Sequence, residues 1–486
     1  MKIIITPEKH LIAALFSLLL LGISVFLYSF APESYSNLYC TFLLVVYLIS
    51  SIITVRYTLI NNNYLNFHVL FLLSFFFVNF VYPVFLYPQD PFYFPVFELS
   101  FDHQIITKTT ALALLGACSY NFGVLLRFRK EKRAVDASNT NFAILQFLLS
   151  KWVYFIFIII LIFAGKEMLH GNFGATSKIP PGLLVIFQVS IGVSVILIIL
   201  SQTNHGSILK FLWKSNKPVL LILFCFILLF IYTGDRGPVL QILLIAIGGI
   251  SLFIKTIKIK SFIIVILFGM LVFTFISYAR SRTVTDDSEK NIAKFIERGF
   301  QNIKLGSFFD LGMDLIVNNR NLYSGVEYAK ENGFNHGKFM FYYLFSPIPF
   351  LPSLMTSTFA NSEPFELTSA QIITDEANAS YGLGSNMIAD LYMAFGVLGV
   401  IVFMFYLGYI VTTFQLKALF SNHHYYIIVY LFLLSFSIYL PRTSILDPIR
   451  HVVWAIILFF ILKKLSKLFL GLSKKSGKPI MTARIV

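Results

Sequence analysis

Twelve apolar runs of membrane-crossing length constrain this chain more than any other feature of its sequence. A helix needs about 20 apolar residues to cross the roughly 30 Å of hydrocarbon in a bilayer. The runs are Leu11–Phe30, Leu38–Val55, Tyr64–Tyr87, Ile105–Leu126, Trp152–Leu169, Gly182–Leu200, Pro218–Thr233, Pro238–Ile254, Ser261–Ala279, Ala389–Leu416, Tyr425–Leu440 and Ile449–Leu462. They predict an all-α integral membrane protein of about twelve spans, within a range of eleven to fourteen. Composition agrees, since 57% of the 486 residues are hydrophobic and only 13% charged, outside the soluble globular range.

Leu11–Phe30 reads as the first span and not as a cleaved signal, because no small-residue cleavage site follows before Pro32 and Glu33. Cys40, Cys118 and Cys225 lie far apart inside apolar runs, without metal or redox spacing, and read as packing residues.

Lys and Arg mark cytoplasmic ends. With the N-terminus inside, the basic residues gather on inner loops: Arg127 to Arg133, Lys255 to Lys260, and a tail from Lys463 to Arg484. Both termini are then cytoplasmic. Residues 280 to 388 contain no convincing span and fall outside; they hold nine basic and twelve acidic residues, a net of −3 in a chain of +15. The excess positive charge fits orientation and anionic lipid, not nucleic acid. The expected organisation is a nine-helix region (1–279), a large external loop (280–388), and a three-helix region with a basic tail (389–486).

Inside the loop, Ile292, Phe295, Ile296, Gly299 and Ile303 recur at helical spacing, with Lys290, Lys294 and Arg298 on another face. Such a helix lies along the membrane surface or packs on the loop's own small core, and the sequence leaves both open. "KFMFYYLFSPIPFLP" is too short to span and is stopped by Pro347 and Pro349, as in a re-entrant or interfacial segment. "YGLGSNMIADLYMAFGVLGV" passes from a glycine-rich turn into a helix. Ser385 or Asn386 is positioned to cap it, and Gly396 and Gly399 to let another helix approach.

At the outer boundary of the last six spans every basic residue is Arg: Arg236, Arg280, Arg282, Arg442 and Arg450. The positive-inside tendency disfavours them there, and Arg grips phosphate with a planar fork where Lys is a point charge. The set therefore points to an anionic ligand. For any single member, snorkelling to headgroups or pairing with an acid such as Asp235 or Asp447 stays open. In "YTGDRGPVL", Gly234 and Gly237 allow backbone N–H groups to approach a ligand and Pro238 can start the next helix. Asp235 is expected to orient Arg236 or cap that helix.

Acid–base candidates are few. Asp390 falls near the start of the tenth span, where an ionisable group is costly without a cavity or partner. His336 is flanked by glycine in the external loop, and Asp375 and Glu376 are further external carboxylates. Metal-ligand spacing, a Walker loop, a Ser-His-Asp arrangement and a paired-carboxylate signature are all missing. A metal-independent reaction without cofactor, or no reaction, is expected.

Three stretches carry a resemblance: "YTGDRGP" at a short outer turn, "SPIPFLP" in the large loop, and "GLGSNMIADLYMAFGVLGV" entering the next span. In these, and in its layout, the chain resembles the Wzy, or O-antigen polymerase, family over roughly residues 230 to 450. The resemblance implies a membrane fold like that of the C-type glycosyltransferases. It also implies transfer of a growing glycan from undecaprenyl pyrophosphate to the next lipid-linked repeat unit, at the outer face of the bacterial plasma membrane. On that basis Arg236, Arg280 and Arg442 become pyrophosphate ligands, with Arg282 and Arg450 as weaker members. Asp390, before Leu391 and Tyr392, takes the acceptor proton; the family more often has Glu there, so His336 is a rival. Gly234, Asp235, Gly237, Asn386 and Tyr392 support the site. The implied partners are undecaprenyl-pyrophosphate-linked oligosaccharides and the bilayer, with room for a chain-length regulator. A lipid-linked oligosaccharide flippase should show two similar halves with short loops, which the nine-loop-three layout argues against. An O-antigen ligase shares the donor chemistry and is not separated by sequence.

Overall fold

The structure, a computed structural model, describes residues 7–98, 101–128, 142–169, 179–201, 216–279, 292–302, 307–348, 351, 368–379, 381–421 and 423–476. The described residues are helical, with no strand among them. The first half contributes α1 (Pro7–Ser29), α2 (Asn37–Thr58), α3 (Phe67–Asn79), α4 (Ile106–Arg127), α5 (Phe142–Leu169) and α6 (Pro181–Ser201). There follow α7 (Lys217–Tyr232), α8 (Arg236–Phe253) and α9 (Ile259–Ala279). Five shorter helices come next: α10 (Ile292–Asn302), α11 (Met313–Ile316), α12 (Asn319–Asn332), α13 (Lys338–Phe345) and α14 (Ser369–Glu376). The chain returns to apolar helices with α15 (Met387–Phe420), α16 (His424–Phe436) and α17 (Pro448–Ser476).

Among the described residues eight helices are long and apolar enough to cross a membrane, namely α1, α2, α4, α5, α6, α8, α9 and α15. Three shorter apolar helices, α3, α7 and α16, accompany them, and α17 carries Lys463, Lys464 and Lys467 in its second half. Side chains such as Ile12 on α1, Ile264 and Phe268 on α9 and Leu398 on α15 project from the bundle, as expected where the surrounding solvent is lipid.

The third run, expected as one span from Tyr64 to Tyr87, is broken. Helix α3 ends at Asn79, whose amide donates to Phe75 O (3.2 Å). A single π-turn then covers Tyr82–Leu86 with Pro83 in its first turn. Proline has no N–H to continue the α-helical ladder, which accounts for the change of pitch.

Helix α4 forms the centre. From Thr109 to Gly123 every residue but Phe122 is buried, and α15 lies along it. The two backbones touch at glycines. A Cβ on Gly123 would collide with Phe405 O, one on Gly408 with Tyr120 O, and one on Gly116 with the Ile388 side chain. Small residues at such a seam let transmembrane helices approach closely enough for dispersion to hold them. Gly396 plays a different part from the close helix approach expected of it. Its φ of +64° breaks α15 into Met387–Phe395 and a longer second piece, a backbone geometry that glycine tolerates.

Helix α10 packs on the ends of α7 and α9 and not on a core of its own. Phe295 meets Tyr232 and Phe275 edge-on, and Gly299 lies against the Phe275 ring. Ile296 and Phe300 stay exposed, at 45% and 73%. Ile303 and Pro349 lie outside the described residues.

The seam makes a testable demand. Gly123→Ala is expected to destabilise the protein by about 1–3 kcal/mol through overpacking, read as a lower unfolding midpoint in detergent. Gly22→Ala, where no atom lies within 4 Å of the added carbon, is expected not to lower that midpoint and to raise it slightly through better helix propensity.

Candidate functional site

The Gly-Asp-Arg-Gly turn ends one helix and starts another. Gly234, with φ +80°, donates its N–H to Ile231 O (3.0 Å), and Asp235 donates its own to Phe230 O (2.9 Å). These two bonds make a Schellman cap on α7. The Gly234 and Asp235 amides therefore close a helix and do not cradle a ligand, contrary to the expectation for Gly234. Asp235 occupies the N-cap position of α8 but makes no side-chain capping bond.

Arg236, the first residue of α8, is oriented by a residue that sequence reasoning did not single out. Its guanidinium forms an ion pair with Asp314 through both terminal nitrogens, and Nη1 also donates to Phe273 O (3.0 Å). Arg442 joins the same group from the other side, donating from Nη1 to Asp314 O (2.9 Å) and lying over the Tyr439 ring (5.5 Å). Burial lowers the Arg442 ionisation below the ordinary arginine value, against the pull of Tyr439 and Asp314; a guanidinium nonetheless stays charged in a protein. Arg236 thus pairs with the Asp314 carboxylate and Arg442 with its main-chain oxygen, so this group of two guanidiniums and one carboxylate is net positive.

These residues close one end of a cavity of about 360 Å³ between α3, α8 and α9. The rest of its wall is apolar, including Leu73, Leu240, Leu243, Ile266, Met270 and Leu315. Such a site favours a ligand with a long apolar body and an anionic head. The N-terminus of α8 also opens here and adds its partial positive charge.

Asp390 lies elsewhere, in the first turn of α15. Asn386 caps that helix by accepting from Ile388 N (2.9 Å) and Ala389 N (3.4 Å), while its amide donates to Asn79 on α3 (3.2 Å). Ser385, the other capping candidate, instead donates to Asp390 Oδ1 (2.6 Å) and pairs with Ser369 of α14 (2.9 Å). Asp390 is fully buried. Asp447 and Tyr343 of α13 are within electrostatic reach of it, and Arg450 of α17 is within reach of those two.

The sequence of one family describes residues 11–470 of this chain, nearly all of it: O-antigen polysaccharide polymerase Wzy. The chain belongs to that family. Comparison with curated proteins and with solved structures found no match. Members of the Wzy family act on lipid-linked oligosaccharide repeat units in the membrane, so a cavity with an apolar wall and a cationic end is the first place to look for the Wzy substrate.

Of the residues proposed from sequence for a Wzy site, the structure joins Arg236 and Arg442 through Asp314. Arg450 belongs with Asp447 and Tyr343 instead. Arg280 and Arg282 lie outside the described residues. His336 sits exposed in a tight turn at φ +53°, held by the Asn335 N–H to Met393 O (3.0 Å), and no contact with Asp390 is formed. Asp375 is exposed and Glu376 half-buried on α14. Tyr392 meets Phe334 edge-on. Among the described residues no three His, Cys, Asp or Glu gather as a metal-binding group. Asp314 and Tyr343 were missed; the usable signal for Asp314 was a pair of acids, Asp310 and Asp314, inside the otherwise apolar "FFDLGMDLIV".

Replacing Asp314 by Asn removes the only carboxylate among the cavity-lining residues. The variant is expected to lose about 1–3 kcal/mol of stability from its partly buried ion pair, measured as a fall in the thermal unfolding midpoint of the purified protein.

Proposed function

We infer that this protein polymerises a bacterial surface polysaccharide, moving the growing glycan from undecaprenyl pyrophosphate to the next lipid-linked repeat unit. The observation that carries the reading is the pairing of Arg236 and Arg442 at one end of an apolar cavity. An isoprenoid chain suits the apolar wall, and its pyrophosphate suits the two guanidiniums. Negative charge grows on the pyrophosphate as the glycosidic bond to it breaks, and pre-placed cations in a site poor in water stabilise that charge strongly. The guanidiniums supply this charge themselves, consistent with a metal-independent reaction.

Within this reading Arg442 is the principal ligand. Among the described residues it makes one hydrogen bond, from Nη1, so most of its five donors face a ligand. Arg236 is held by Asp314 and Phe273 and presents its remaining edge. Arg280 and Arg282 are proposed as further ligands on the strength of the sequence alone, and Arg450 is reassigned to the Asp390 side. His336 is not retained as the base, because its turn faces solvent.

The proposed setting is a plasma-membrane protein in which all twelve apolar helices span, arranged as in the C-type glycosyltransferases. The termini are then cytoplasmic and residues 280–388 outside. Basic loops on one side and the acidic segment on the other support it. A chain-length regulator would meet the protein on that outer side.

Reconstituting the protein with a lipid-pyrophosphate-linked repeat unit tests the function: a ladder of longer glycans is expected, and lipid movement across the bilayer without a ladder would mean a flippase. Arg442→Ala is expected to slow ladder formation by about 10²–10³-fold. Arg442→Lys should still lose roughly tenfold despite keeping the charge, since the fork geometry is gone. A cysteine at position 336 should react with a membrane-impermeant maleimide from the outer side; protection there would reverse the topology.

A further inference from the structure

The apolar cavity is walled on one side by a single helix. On α9, Val265, Ile266, Gly269, Val272 and Phe273 line it, while Ile263, Ile264, Leu267 and Leu271 are exposed on the opposite face. At about 100° of turn per residue, Gly269 falls at the middle of the cavity-facing arc and Phe268 at its edge. Phe268 lines the cavity and is nevertheless 68% exposed. The mouth of the cavity is therefore sideways, at Phe268, and in a membrane protein that side meets lipid.

The cavity also has a limited depth. Along α8 its lining runs from Arg236 to Ile247, about 16 Å at the rise of an α-helix and roughly half the hydrocarbon thickness of a bilayer. An apolar cavity of about 150 Å³ takes one benzene, so the cavity of about 360 Å³ takes roughly two or three fragments of isoprene size. An undecaprenyl tail is several times longer, and only the units nearest its head fit. Gly269 lies one turn, about 6 Å, along α9 from Phe273, whose carbonyl accepts from Arg236 (3.0 Å). A tail held by its pyrophosphate at the guanidiniums therefore reaches Gly269 just beyond its first isoprene unit. Neither a turn nor a close approach calls for glycine at this point. An added carbon meets no atom within 4 Å, and glycine inside a helix costs about 1 kcal/mol relative to alanine. What the missing side chain leaves is room in the cavity.

We propose that the cavity holds only the isoprene units nearest the pyrophosphate, and that Gly269 is the specificity-determining residue that keeps the space for them open. This rests on the polymerase reading and deepens it, by naming the part of the lipid that the protein recognises. The rest of the tail leaves past Phe268 into the bilayer, where its length makes no difference to binding. The ligand class is then any prenyl pyrophosphate whose first few units fill the cavity, whatever its total length.

The test compares the binding of dimethylallyl, geranyl, farnesyl and geranylgeranyl pyrophosphates, one to four isoprene units long, to the unaltered protein and to Gly269→Leu in lipid nanodiscs. Longer tails partition into the bilayer equally with either protein, so the ratio of the two Kd values is what is read. The ratio is expected to stay near one for the one-unit compound. It should rise to about tenfold or more at two or three units, as the added side chain displaces buried CH₂ groups, and stay level at four. A ratio near one at every length would put the tail outside the cavity and overturn the proposal. So would a ratio already high at one unit, a ratio still climbing at four, or no saturable binding to the unaltered protein. Should Gly269→Leu fail to fold, Gly269→Ala is expected to give the same pattern on a smaller scale, and a flat ratio there would likewise overturn it. Ladder formation does not enter this measurement. The expected binding pattern in a protein that makes no ladder from a lipid-linked repeat unit would count against the polymerase reading alone.

Discussion

Everything at the end of this bundle where α15 begins hangs on the contact between α4 and α15. Gly123 and Gly408 bring the two backbones together where a methyl group would not fit, and that approach fixes where α15 begins. Its first residues then meet α3 through Asn386 and Asn79. The same corner ties in α12: Asn319 donates to Val78 O (2.8 Å) and Asn321 to Leu383 O (3.0 Å). Carboxamides suit this duty, because each can bridge two elements without bringing a charge into a region poor in water.

Around that corner two charged groups stand on either side of the connector between α16 and α17. Arg236, Arg442 and Asp314 carry a net positive charge at the apolar cavity, whereas Asp390 and Asp447 stand with Arg450 across the connector. Each group is mixed: Asp314 offsets part of the charge of Arg236, and Arg450 does the same for Asp447.

Hydropathy made the helices legible because the signal is summed over many residues, and one side chain rarely overturns it. It failed locally at Tyr64–Tyr87, where Pro83 and Asn79 interrupt a run whose composition looks continuous. Arg236 and Arg442 were recognisable together because arginine at an outer boundary needs a reason. Their partner Asp314 was not, since it arrives from 78 residues away along the chain. The glycines show the same limit. Gly234 is used to stop a helix, Gly396 to break one and Gly408 to admit another, and the letter alone does not distinguish these uses.

The break at Gly396 divides α15 into parts with different mechanical duties. The long second part is locked against α4, whereas the nine residues from Met387 to Phe395 carry Asp390 and are joined to it through a single non-helical residue. A continuous helix would carry the direction of the seam to its first residue. Here Ile388 still packs on Gly116 of α4 and Ala389 on Gly325 of α12, so the short part is held at an angle of its own and is not freed. The heading of the tip is thus set by its own contacts, independently of the shaft that carries it.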